Sequence, residues 1–155
     1  ISSKIQTPFT LVPATMQTFV VLFLGMVLGY KLAAATVVLY LIEGSIGLPV
    51  FAKGGGFAYL MGPTGGYLIG FILTALFAGM IRLKNDPIVI FIYLLLSVSV
   101  AYTFGLLGLW NYMGLDKSFN QVFLFGAQPF LLIEIYKILI LTVLSKQILK
   151  LRKFI

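Results

Sequence analysis

Cysteine and histidine are both missing from this 155-residue sequence. Their absence excludes a disulfide framework and the usual zinc, haem and iron–sulfur ligation, and it removes the commonest general base. Charge is scarce as well: 10% of the residues are charged, where a soluble domain has about 25%. No phosphate-loop ending of the GK[ST] type occurs. Lys53-Gly54-Gly55-Gly56 therefore resembles such a loop only superficially, with no preceding strand. With no ATPase motif in the chain, an ATP-driven role needs a separate ATPase.

What is abundant is apolar surface. Hydrophobic residues make up 61% of the chain, and its mean hydropathy is +1.10. Residues 5–30, 54–81 and 87–115 contain no Asp, Glu, Lys or Arg. Each run exceeds the roughly 20 residues that cross a bilayer as helix. The reading is an all-α integral membrane protein, one helical-bundle domain over 1–155 embedded in the lipid bilayer. The net charge of +7 does not point to nucleic acid, because the cations cluster at span ends and in the tail. That distribution is the usual topological signal of membrane proteins.

Five transmembrane helices are expected. Residues 16–30 form the first, stopped by Lys31, and residues 32–47 the second. The glycine-rich segment 48–62 follows as an external loop. Gly62-Pro63 opens a third helix that runs to Arg82, since proline suits a first helical turn. Asp86-Pro87 opens a fourth, to about Leu109. Residues 110–128 read as an external loop with a short surface helix, and Pro129 opens the last helix, which ends in KQILKLRK. Lys31, Arg82, Lys84, Lys146, Lys150, Arg152 and Lys153 then lie on one side, against Lys4, Lys53 and Lys117 on the other. Seven cations against three place the first group, and the 146–155 tail, on the cytoplasmic side of the membrane. Residues 1–15 fall outside, which predicts a further helix upstream. The alternative is a single tilted helix over 5–30, against which Pro8 and Pro13 argue.

Three features stand out. Gly62, Gly66, Gly70, Thr74 and Ala78 recur every four residues and line one helix face; Gly25 and Gly29 share that spacing. Small residues let helices approach closely, within this subunit or against a partner or ligand. The glycine-rich loop carries Phe51, Phe57, Tyr59, Leu60 and Met61, too apolar for a merely solvated connector. Such side chains on a bendable backbone suit a lid over an apolar ligand. Glu134 and Lys137, one turn apart on the last helix, are the sharpest feature. Charges cost about 2.5–3.5 kcal/mol each at a helix centre, less near an interface, so they face each other or a cavity. They form either a self-neutralising bridge or a polar floor for a small molecule with an N–H head and an acidic tail. Glu43, a lone acid near a helix end, is a weaker candidate, as a partner for Lys53 or an interfacial group.

The segment YLIEGSIGLPVFAKGGGFAYLMGPTGGYLIGF (Tyr40 to Phe71) closely resembles the signature region of BioY, the biotin-specific membrane subunit of energy-coupling factor transporters. VPATMQTF (Val12 to Phe19) is similar to that family's VP-x-T-x-QT segment, and PFLLIEIYK (Pro129 to Lys137) resembles its PF-x-PGD-x-x-K segment. The resemblance implies a six-helix bundle that binds biotin near the outer face, without a metal or cofactor. It also implies pairing with a transmembrane coupling subunit and two ATPase subunits, and a first family helix absent here. By the same resemblance Lys137 meets a polar end of the ligand, Glu134 replaces the family's Asp with one more methylene, and Leu132-Ile133 replace its PG. Lys53 adds a cation where the family often has a small or amide residue, Tyr67 follows the GPTGG turn near the pocket, and Gln17 matches the QT amide in a supporting role. Glu134 would accept from the ureido group, and Lys137 or Lys53 would meet the tail. Competing readings are a subunit for another vitamin, a membrane enzyme acting on lipid, and a pore or scaffold.

Overall fold

The computed structural model describes residues 1–5, 12, 15–82 and 86–154. Pro8, Pro13 and Lys84 lie outside the described residues. The described residues form an all-helical bundle, with an isolated bridge between Phe51 and Gly54. The helices are α1 (Gln17–Ser45), α2 (Phe57–Leu60), α3 (Gly65–Ala78), α4 (Pro87–Met113), α5 (Phe119–Gly126), α6 (Leu131–Val143) and α7 (Ser145–Leu151), with short 3-10 turns at Gln128–Phe130 and Arg152–Phe154. Three stretches are long and apolar enough to cross a membrane: Gln17–Ser45, Pro87–Met113 and Phe119–Val143, the last counted through its 3-10 turn.

The first of these is not one rod. Gly29 breaks it with φ 76° and ψ 170°, a region essentially reserved for glycine. The limbs 17–28 and 30–45 fold back on each other. Gln17 Nε2 donates to Tyr40 Oη at 2.6 Å, and Val21, Val37 and Leu41 share one core cluster. At 1.5 Å rise per residue the limbs reach about 18 and 24 Å. Two helices are therefore present where two were expected, but the break lies at Gly29, not at Lys31. The same observation excludes a single helix over 5–30, since α1 starts at Gln17.

Other boundaries move for local reasons. α3 starts at Gly65, so Pro63 lies in the preceding turn, outside the helix. It stops at Ala78, and Gly79 beyond it sits against the backbone of Gly29 and Tyr30, where no Cβ fits. α4 extends to Met113 and is ended by Gly114 at φ 98°. The last helix is split at Leu144; Thr142 Oγ1 donates to Ile138 O just before the split, a bond that loosens a helix end.

α3 is the hub, packed on both α4 and α1. Gly66 lies on Phe104 and Gly108, and Gly70 comes so close that a Cβ would stand 2.9 Å from Ala101 Cα. Thr74 Oγ1 shares its one proton between Gly70 O and Ser97 O of α4, each at 3.0 Å. The stripe then changes partner: Ala78 faces Gly25 on α1, while Gly62 lies in the turn before α3. At one end of the bundle Arg152 Nη1 donates to Ile81 O at 3.0 Å, and the guanidinium fills the notch at Gly29, where a Cβ would collide with it. Lys31, Arg82 and Arg152 thus gather at the same end. The glycine-rich loop and Glu134 belong to the other.

Candidate ligand-binding site

α6 presents Glu134 and Lys137 one turn apart and points both inward, where they are 6% and 5% exposed. Lys137 Nζ lies 2.7 Å from Glu134 Oε1. It also donates to Thr15 O at 2.7 Å and to Thr18 Oγ1 at 2.8 Å, while Thr18 Oγ1 donates to the same Glu134 Oε1 at 2.9 Å. The lysine has three protons and all three are used. The carboxylate is served on one side only: Oε2 is buried and has no hydrogen-bond partner among the described residues. A charged acceptor left so costs on the order of 1–3 kcal/mol or more.

Glu134 is at the wall of a cavity of about 50 Å³ between α1, α3, α4 and α6. Thr15, Gln17 and Thr18 line it from the start of α1, Tyr67, Leu68 and Phe71 from α3, Tyr102 from α4, and Ala52 and Tyr59 from the loop side. The Tyr67 hydroxyl is already committed to Gly126 O at 2.7 Å, and its ring stands edge-on to Tyr102 at 5.7 Å, so it contributes an aromatic wall. Gln17 is likewise held at both ends, by Tyr40 Oη and by the Thr15 hydroxyl. The lining is apolar and aromatic apart from a few hydroxyls, one amide and one half-satisfied carboxylate, the composition of small-molecule sites.

The glycine-rich loop is built around Phe51, which is fully buried. Its ring lies between Tyr40 and Tyr59, at centroid distances of 5.5 and 5.1 Å, and on Gly44, where a Cβ would strike it. Gly54 and Gly56, at φ 139° and 102°, let the chain turn back so that Gly56 N reaches Gly44 O at 2.7 Å. Side chains from the first residues tie the loop down: Ser3 Oγ donates to Val50 O at 2.6 Å and Lys4 Nζ to Phe51 O at 2.9 Å. Ala52 faces the cavity, whereas Lys53 at the turn is exposed and does not line it. Glu43 is exposed on α1.

The structure thus brings Glu134, Gln17 and Tyr67 to one cavity, with Lys137 bonded to Glu134, while Lys53 is exposed and outside the lining. Thr15, Thr18 and Tyr102 were not singled out by sequence reasoning. For Thr18 a signal existed, a second polar residue beside Gln17 within an uncharged run. Tyr102 offered none, being one aromatic among many on α4. No group of three or more metal-ligating side chains occurs among the described residues.

Fold and site together define a polytopic helical membrane protein with a buried acid–lysine pair bordering a small, mostly apolar cavity. Comparison with known proteins gives this class a family. The BioY family model matches residues 1–154. A probable biotin transporter BioY of Pyrococcus horikoshii is 36% identical over 138 residues, covering 88% of this chain and 80% of the relative. The biotin transporter BioY of Thermotoga maritima is 33% identical over 156 residues, covering 97% and 89%. The crystal structure of an S-component for biotin from an ECF-type ABC transporter superposes with a TM-score of 0.80 at 24% identity, covering 95% of this chain and 80% of that one, a likeness of fold. The chain belongs to the BioY family.

Proposed function

We propose that this protein is the biotin-binding membrane subunit of a vitamin uptake transporter, not an enzyme. Its relatives carry names as biotin transporters. The observation that carries the reading is Glu134, which lines an aromatic cavity and whose buried Oε2 has no hydrogen-bond partner among the described residues. Biotin offers what is missing: ureido N–H donors on a compact bicyclic head. The head goes deep, against Glu134, and the Tyr67 and Tyr102 rings cover it. The valerate tail points to the loop side, where Lys53 stands. Lys137 acts through Glu134, since its three protons are spent within the cluster. A cavity of about 50 Å³ holds only a few waters, each needing roughly 10–15 Å³. Biotin entry therefore requires the 48–62 loop, or the rings beneath it, to move apart and close again.

In this reading the chain has five membrane spans, the two limbs of α1 counting separately. Residues 1–15, 48–62 and 110–128 face outward and 146–155 the cytoplasm. A transmembrane coupling subunit and two ATPase subunits drive inward release, and no cofactor takes part. The test is equilibrium binding of labelled biotin to the detergent-purified protein. Saturable binding that falls roughly ten- to hundredfold in Glu134→Gln is expected, the value of a hydrogen bond to a charged group. No saturable binding, or an unaffected Glu134→Gln variant, would defeat the proposal.

A further inference from the structure

We propose that Thr18 is a positioning residue of the binding site: its hydroxyl decides which oxygen of Glu134 is offered to the ligand. Lys137 Nζ can only donate, so its 2.8 Å contact makes Thr18 Oγ1 the acceptor there. A hydroxyl has one proton, and the remaining short contact of Thr18, 2.9 Å to Glu134 Oε1, must receive it. Oε1 therefore collects two donors, one charged and one neutral, while Oε2 collects none among the described residues. The difference between the two oxygens is thus made by α6 and α1 together, α6 supplying the charged donor and α1 the neutral one.

Valine at 18 would keep the volume and remove the proton. The carboxylate would then keep Lys137 as its charged donor, with the Tyr102 side chain beside it, and the ammonium would lose one acceptor. Rotation that shares the lysine between both oxygens would be less opposed. Thr18 is the second residue of α1, and Thr15 O, just before the helix, takes another of the lysine's protons. The start of α1 thereby serves as a template for the acid on α6.

This inference rests on the biotin reading for its ligand, but not for its geometry, and two measurements separate them. The first is biotin affinity of Thr18→Val and Thr18→Ser. Thr18→Val should bind roughly ten- to hundredfold more weakly and Thr18→Ser within a fewfold of the parent. The second is the infrared carboxylate stretch of Glu134, isolated by subtracting the Glu134→Gln spectrum, recorded without biotin. It should shift in Thr18→Val and stay in place in Thr18→Ser. An unmoved band in Thr18→Val overturns the proposal, even if affinity falls, because the loss would then come from direct contact or packing. A shifted band in a protein whose parent binds no biotin supports the positioning role and removes the ligand assignment instead.

Discussion

At the scale of single residues, the Glu134–Lys137 pair is worth more by what its loss would expose than by its own attraction. Buried ion pairs recover little net energy, because desolvation offsets most of the Coulombic gain. Removing one partner is different, since it strands the other charge in a low-dielectric interior. Lys137→Met should therefore lower stability by about 3–5 kcal/mol, whereas Glu134→Gln/Lys137→Met should recover at least part of that loss. Thermal unfolding in detergent checks this, followed by the fluorescence of Trp110, the only tryptophan. Two equally stable variants would show that the charges are not coupled. The sequence made the pair visible because four acidic residues in a 155-residue membrane chain leave few alternatives. It left Thr18 hidden, because a threonine in an apolar run is ordinarily satisfied by its own helix backbone, as Thr74, Thr103 and Thr142 partly or wholly are.

Among the elements, the turn within α1 is the most exacting. Gly29 adopts a conformation that costs other residues about 1–3 kcal/mol, and the Arg152 guanidinium occupies the place a Cβ would take. Gly29→Ala should thus destabilise by at least that amount. Arg152→Ala should relieve the collision but not the backbone strain, so the double variant recovers only part of the loss. Melting curves of the three variants decide the matter, and full recovery in the double variant would mean that the collision alone matters. Helices were legible here from the long uncharged runs, and so was a division of residues 16–47 into two helices. The site of the division was not, since Lys31 is the more conspicuous breaker by charge, whereas the decisive event is a glycine φ angle. The glycine-rich loop shows the same limit. Its composition suggests a mobile cover, but the buried Phe51 and the Ser3 and Lys4 bonds that pin it involve residues 47 and 48 positions apart, which no local pattern records.

For the whole molecule, the two ends of the bundle differ in charge. Arg152, Arg82 and Lys31 meet near Gly29 and Ile81, while Lys4 and Lys53 belong to the loop end. Because the chain has no cysteine, single introduced thiols report topology without background. In intact cells a membrane-impermeant maleimide should label Lys117→Cys, and should reach Lys150→Cys only after permeabilisation. The reverse pattern would invert the orientation. Composition alone supplied the membrane class, because three uncharged runs cannot be accommodated in water. It could not supply the cavity, which depends on how far apart α1, α3, α4 and α6 stand.

The spacing of the ion pair also bears on how the protein is made. Thr18 meets its partners across separations of 116 and 119 positions, so that contact forms only after most of the chain has emerged. Glu134 and Lys137 need no such wait, being one turn apart on a single helix. During biogenesis, α6 emerges after α1 to α5 and can leave the translocon as an electrically self-compensated segment before it docks on the helices already inserted. The same two side chains that later organise a binding site thereby ease the insertion of the helix that bears them.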